Sequence, residues 1–201
     1  MSKSARQSAF EILYKVERSG AYSNLALDAE LSSQQGTADG DSALLTALVY
    51  GVLERLITLD YNISLYLRQP LKKLKPEVLI ALRLGAYQLL FMDSVPDRAV
   101  CNEAVKLAGK RGFRQLSGFV NGVLRNIARN KEQIRFPEEE KELVKALSVK
   151  FSMPAWLVEK LLKEQGEEKT RRMLEAFLQT KPVTIRLKED LSASEKERLI
   201  S

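Results

Sequence analysis

The chain has 201 residues, 45% of them apolar, with 32 Lys and Arg against 26 Asp and Glu, a single cysteine and no histidine. This leaves room for one large or two small domains, and it excludes an internal disulfide, histidine triads, imidazole general bases and most zinc sites. No apolar run reaches the length of a membrane span and no basic-then-apolar leader opens the sequence, so a reducing cytoplasm without membrane attachment is the expected setting.

Apolar residues recur at helical spacing along most of the chain, with glycine and proline as punctuation. A first helix is predicted from about Ser4 to Arg18, with Phe10, Leu13 and Val16 on its inner stripe, Arg6 off that stripe and Gly20 ending it. A second covers about Asn24 to Leu31, and a polar loop follows from Ser32 to Gly40. Asp41 can cap a third, whose run LLTALVYGVLERLITL is too apolar for the surface, and Asp60 is expected to restart it as a segment ending near Arg68. Pro70 and Pro76 bracket a connector bearing Lys72, Lys73 and Lys75. Pro76 suits the first turn of a helix running to about Met92. Between Glu77 and Asp93 the only charge is Arg83, so this helix should be central and Arg83 should need a partner, Glu103 or Glu54.

Pro96 and Asp97 open the next helix, to about Lys110. Gly112 breaks it, and another spans about Gln115 to Asn130. Phe136 and Pro137 mark a boundary, giving a bundle of about seven helices over residues 1–134 and a second unit over 137–201. In the second unit EEEKELVKALSVKF reads as an amphipathic helix. Pro154 starts another through Glu164, with Trp156 expected to anchor the local core, and Gly166 separates it from EEKTRRMLEAFLQ. PVTIRLK, Pro182 to Lys188, alternates Val183, Ile185 and Leu187 as a strand does, and SASEKERLI begins like a helix. A lone strand cannot satisfy its own backbone, so this unit is expected to be a small, incomplete α/β subdomain that opens a larger domain. The fold class expected is mainly α.

Charge is unevenly placed. Residues 71–135 hold thirteen Lys and Arg against five Asp and Glu, about +8, while residues 1–70 and 136–201 sum to −2 and zero. Such a concentration points to a polyanion, most commonly nucleic acid. The densest part is VPDRAVCNEAVKLAGKRGFRQLSGFVNGVLRNIAR, two helices joined by the basic loop KRGFR. Gly118, Gly122, Arg125 and Arg129 share one helical face, apart from the apolar seam of Leu116, Val120, Val123 and Ile127. The glycines either permit tight helix packing, the preferred reading for them alone, or let a nucleic-acid backbone approach the arginines. Phe113 either stacks on a base or plugs a gap between helices. The expected RNA contacts are Lys110, Arg111, Arg114, Arg125 and Arg129, with Arg6 outlying, all on one continuous surface. Cys101 falls on the apolar face of its helix and is read as core, not nucleophile. No catalytic, cofactor-binding or metal-ligating residue is expected.

LRLGAYQLLFMDSVPDRAVCNEAVKLA, followed by GFVNGVLRNI and preceded by the N-terminal SARQSAFEILYKV, resembles the helical NusB-like domain of bacterial RNA-binding proteins over about Ser2 to Asn130. SMPAWLVEKLLKEQGEEKTRRMLEAFLQTKPVTIRLK resembles the region that links such a domain to the catalytic part of the 16S ribosomal RNA cytosine-5 methyltransferases. The resemblance implies an RNA-recognition part that positions 16S ribosomal RNA and packs against a catalytic domain. For the complete enzymes it implies S-adenosylmethionine and a thiolate attack on cytosine C6, with methyl transfer to C5. The proline-cysteine and threonine-cysteine motifs and the glycine-rich cofactor segment of that family are not in these residues, so the chain alone is expected to be inactive and to hold no cofactor. The alternative is a stand-alone NusB-like antitermination factor, which residues 137–201 argue against.

Overall fold

A computed structural model describes residues 3–33, 39–93, 95–132 and 134–179, and all regular structure among them is helical. Helix α1 (Ala5–Ser19) starts where the Ser4 hydroxyl accepts the Gln7 N–H at 3.3 Å, and it stops at Gly20, whose φ of 62° suits a residue without Cβ. Then come α2 (Ser23–Ser33), α3 (Asp39–Glu54), α4 (Leu56–Ser64) and α5 (Pro76–Phe91). Helices α6 (Asp97–Ala108) and α7 (Ser117–Arg129) complete a first bundle of seven. Helix α5 is its axis. Val78 to Ala86 are buried without interruption, and α1, α3, α4, α6 and α7 pack around it. Two close crossings need glycine. The Tyr87 ring lies against Gly51 of α3, and a Cβ on Gly85 would stand 2.6 Å from a methyl of Leu124 on α7.

Arg83 lies in the middle of α5 and is buried. Its Nε and Nη2 donate to the two carboxylate oxygens of Asp60 at 2.7 and 2.8 Å, and Nη1 donates to Glu17 at 3.0 Å. These partners replace the expected Glu103 and Glu54. The reason is a shifted helix break. The chain bends by 73° at Arg55, not at Asp60. Asp60 therefore sits inside α4 and reaches Arg83. The pairs hold the Arg83 guanidinium above its ordinary pKa although burial alone would lower it.

Nothing in the apolar run around residue 55 marks a break, and the bend is completed by a distant residue. Arg55 offers no capping side chain, and the Ile57 N–H at the start of α4 instead donates to the Ser152 hydroxyl at 3.0 Å. The Thr58 hydroxyl donates to the Val149 carbonyl beside it. Buried Asn62 exchanges hydrogen bonds with the backbone of Arg135, accepting its N–H at 3.1 Å and donating to its carbonyl at 3.2 Å. One face of α4 thus fastens the segment after α7 to the bundle.

That segment contains α8 (Glu139–Phe151), α9 (Ala155–Gln165) and α10 (Glu167–Leu178), which close on a small core of Leu147, Phe151, Val158 and Leu174, separate from that of the bundle. Trp156 does not join it. At 66% exposed it faces outward from the first turn of α9, because helical spacing turns Val158, Leu161 and Leu162 inward instead. The expected strand from Pro182 to Lys188, and the α/β subdomain inferred from it, lie outside the described residues.

Replacing Arg83 by Met leaves Asp60 and Glu17 without their cation. Because both carboxylates retain some solvent access, a loss of about 2–3 kcal/mol is expected by urea denaturation, less than for a fully buried pair. Ser152→Ala orphans the Ile57 N–H and should cost about 1 kcal/mol, seen as earlier proteolysis in residues 134–138 while α1–α7 stays intact.

Candidate nucleic-acid interface

Helices α6 and α7 form an antiparallel hairpin packed on α5. Its connection is a wide turn over Gly109–Phe113, in which Gly112 adopts φ 90°, followed by a tight turn over Arg114–Leu116. A side chain is rarely tolerated at that φ, so Gly112 decides where α6 ends and aims the basic loop back over α1. Phe113 is half-buried against the bundle core, the gap-filling alternative.

The six expected contacts divide between the two ends of this hairpin. At the loop end, Lys110 donates to the Gln7 side chain at 3.0 Å. The Arg111 guanidinium lies over Phe10 and Tyr14, 5.4 and 5.3 Å from the ring centroids, and 3.7 Å from Glu11. Arg6 donates to Gln88 of α5 at 2.7 Å. These three gather on α1, and Arg111 is the most committed to holding the fold. Arg114 is exposed, and its side chain has no partner among the described residues.

Arg125 and Arg129 are at the other end. Arg114 and Arg125 are separated by roughly 17 Å of helical rise, so the expected single surface is two cationic patches. Both α7 arginines are exposed and line a cleft of about 390 Å³ together with Arg98 and Asn102 of α6. None of the three arginines has an acidic partner among the described residues. Asp97 also lines the cleft, but it is taken by Lys131 at 2.8 Å. Cys101, 4% exposed, forms part of the cleft floor, and burial pushes its thiol pKa up despite the charge of Arg125. A raised pKa keeps the thiol protonated and unreactive.

Gly118 and Gly122 do not serve tight packing. A Cβ on either would meet nothing within 4 Å. They border a second cleft, of about 630 Å³, with Tyr66, Arg68, Phe119 and Asn126. The exposed ridge of α7 is thus flanked by Arg98 on one side and Arg68 on the other, two residues that the sequence reading did not single out. Arg98 carried a signal. A cation in the first turn of a helix opposes the macrodipole, which suggests a role other than helix stability. Arg68 follows α4 in an irregular stretch and carries no comparable sign.

This architecture of helices around a buried axis defines a class, and sequence comparison agrees with it. The NusB family matches residues 3–129, and the chain belongs to that family. It is 38% identical over 184 residues, 92% of its length, to the probable ribosomal RNA small subunit methyltransferase B of Bacillus subtilis, and 34% identical to the corresponding protein of Synechocystis. Those matches cover 40% and 41% of the relatives, so the chain spans about two fifths of their length. Among solved structures, the antitermination factors NusB and NusE in complex with double-stranded RNA include a chain that superposes with a TM-score of 0.57 at 26% identity, covering 62% of this chain and 93% of that one.

Arg111→Met removes two ring contacts and an ion pair, and should lower stability by about 1–2 kcal/mol. Arg125→Gln should stay within about 0.5 kcal/mol of wild type, since it breaks no contact. Paired urea melts separate a structural cation from a free one.

Proposed function

We propose that this chain is the RNA-recognition part of an S-adenosylmethionine-dependent 16S ribosomal RNA (cytosine-5) methyltransferase, where it grips phosphates and positions the RNA for methylation. The observation that carries this reading is the hairpin itself. The chain's positive excess surfaces there on exposed side chains, and Arg98, Arg114, Arg125 and Arg129 have no acidic partner among the described residues. Uncompensated arginines on a rigid helical support suit the many closely spaced charges of a nucleic acid, which a single acidic side chain does not provide.

Two findings support the methyltransferase over a stand-alone antitermination factor. The NusB match ends at residue 129, whereas the match to methyltransferase B relatives extends over 184 residues and so takes in helices beyond α7. Those helices are also fastened to α4 by specific hydrogen bonds, as a built part of the molecule. The described residues do not fit a site for S-adenosylmethionine. Among them there is no strand leading into a glycine-rich turn, and the one cysteine is a buried core thiol. The contribution we assign to the described residues is binding and orientation. Remote contacts of this kind raise a rate by holding the target in a reactive geometry.

Three or four phosphate contacts predict that log K for single-stranded RNA falls with log salt at a slope of roughly −2 to −3, at about −0.7 per contact. A fluorescence-anisotropy titration with a 16S-derived RNA over a salt series measures it. A salt-independent isotherm removes the electrostatic basis of the reading.

A further inference from the structure

We infer that the cleft between the N-terminal half of α6 and the C-terminal half of α7 is a site for a nucleotide phosphate, clamped by Arg98, Arg125 and Arg129. This rests on the RNA-binding reading and narrows it to one place and one chemical group. The cleft is formed by two helices with fixed packing on α5, so its walls are preorganised. Its volume of about 390 Å³ is within the range of small-ligand sites and leaves space for a sugar beside the phosphate.

Charge selects the ligand. Asp97 also lines the cleft but is engaged by Lys131, so three guanidinium groups remain around it with no ion-paired acid of their own among the described residues. One carboxylate would balance one of them, whereas a phosphate monoester, or adjacent diesters of a bent strand, brings the density of anionic oxygens that three planar forks can share. The end of α6 adds to this. Pro96 supplies no capping side chain, and while the Ala99 and Val100 N–H groups donate to its carbonyl, those of Asp97 and Arg98 have no side-chain partner among the described residues. An anion placed there gains from the macrodipole that Arg98 opposes. Asn102 adds a neutral amide to the same wall, and the small surfaces of Cys101 and Ala128 form a floor that does not compete for the phosphate. A phosphate could come from inside a strand or from a 5′ terminus. Both present the same oxygens.

The test uses the 201-residue protein and a short labelled single-stranded RNA, with and without a 5′-phosphate. Inorganic pyrophosphate is titrated separately while amide NMR signals, including the Asn102 side chain, are followed. Arg98→Gln should weaken RNA binding about five- to tenfold and abolish the pyrophosphate-dependent shift of Asn102, with an unchanged thermal melt. A loss confined to the 5′-phosphorylated RNA identifies a terminal monoester, and an equal loss with both RNAs identifies an internal diester. If Arg98→Gln binds RNA and pyrophosphate as the wild type does while Lys110→Gln/Arg114→Gln binds RNA poorly, the cleft assignment is overturned and the RNA-binding reading survives. A wild type that binds no RNA overturns the function proposed above and the nucleotide with it. Displacement of pyrophosphate by an acidic peptide at lower concentration than by RNA overturns the assignment in favour of a protein partner.

Discussion

Burying an arginine in the middle of an otherwise apolar helix is costly unless acids reach it with good geometry. Arg83 meets that condition through a two-bond fork to Asp60 and a third bond to Glu17. The three charges lie on α5, α4 and α1, so one ionic junction joins the central helix to two neighbours. It constrains direction as well as distance, because a planar guanidinium donates to both oxygens of a carboxylate only in its own plane. Hydrophobic burial around α5 provides most of the driving force but little orientation, and the Arg83 junction supplies the orientation.

With Asp60 held, the face of α4 that carries Ile57, Thr58 and Asn62 is presented to the residues after α7. Each of these three residues hydrogen-bonds to that later segment, through Ser152, Val149 and Arg135 respectively. The second helical unit is therefore attached through polar bonds to a helix whose own position depends on Arg83. An attachment of this kind is more selective than an apolar face, since a wrong register leaves backbone groups unsatisfied.

The candidate interface depends on the same scaffold in a different way. Gly85 brings α7 close to α5, so the hairpin is seated deeply enough for its outer face to be exposed while Val120, Val123 and Leu124 are buried. Gly112 then returns the loop over α1, where Arg111 is drawn onto Phe10 and Tyr14. The result is a division of labour among similar residues. Arg111 stabilises the fold, Lys110 and Arg6 are tethered to glutamines, and Arg98, Arg125 and Arg129 keep their charge available.

Apolar spacing with glycine and proline punctuation was enough to determine the number of helices in the bundle, though not the break between the third and fourth. It also determined the central place of α5, the core position of Cys101 and the location of the excess charge, because each follows from local periodicity and counting. The face shared by Gly118, Gly122, Arg125 and Arg129 was legible for the same reason. Other features depended on residues far apart in the chain. The bend at Arg55 is completed by Ser152, Arg83 chooses Asp60 and Glu17 only once α4 has turned, and Arg98 joins Arg125 and Arg129 only when α6 and α7 fold back on each other. Trp156 is exposed because α9 docks by Val158 and its neighbours. Helical periodicity states which residues share a face, but only packing against other elements decides what that face meets, and hence which charges are spent inside the fold and which remain free.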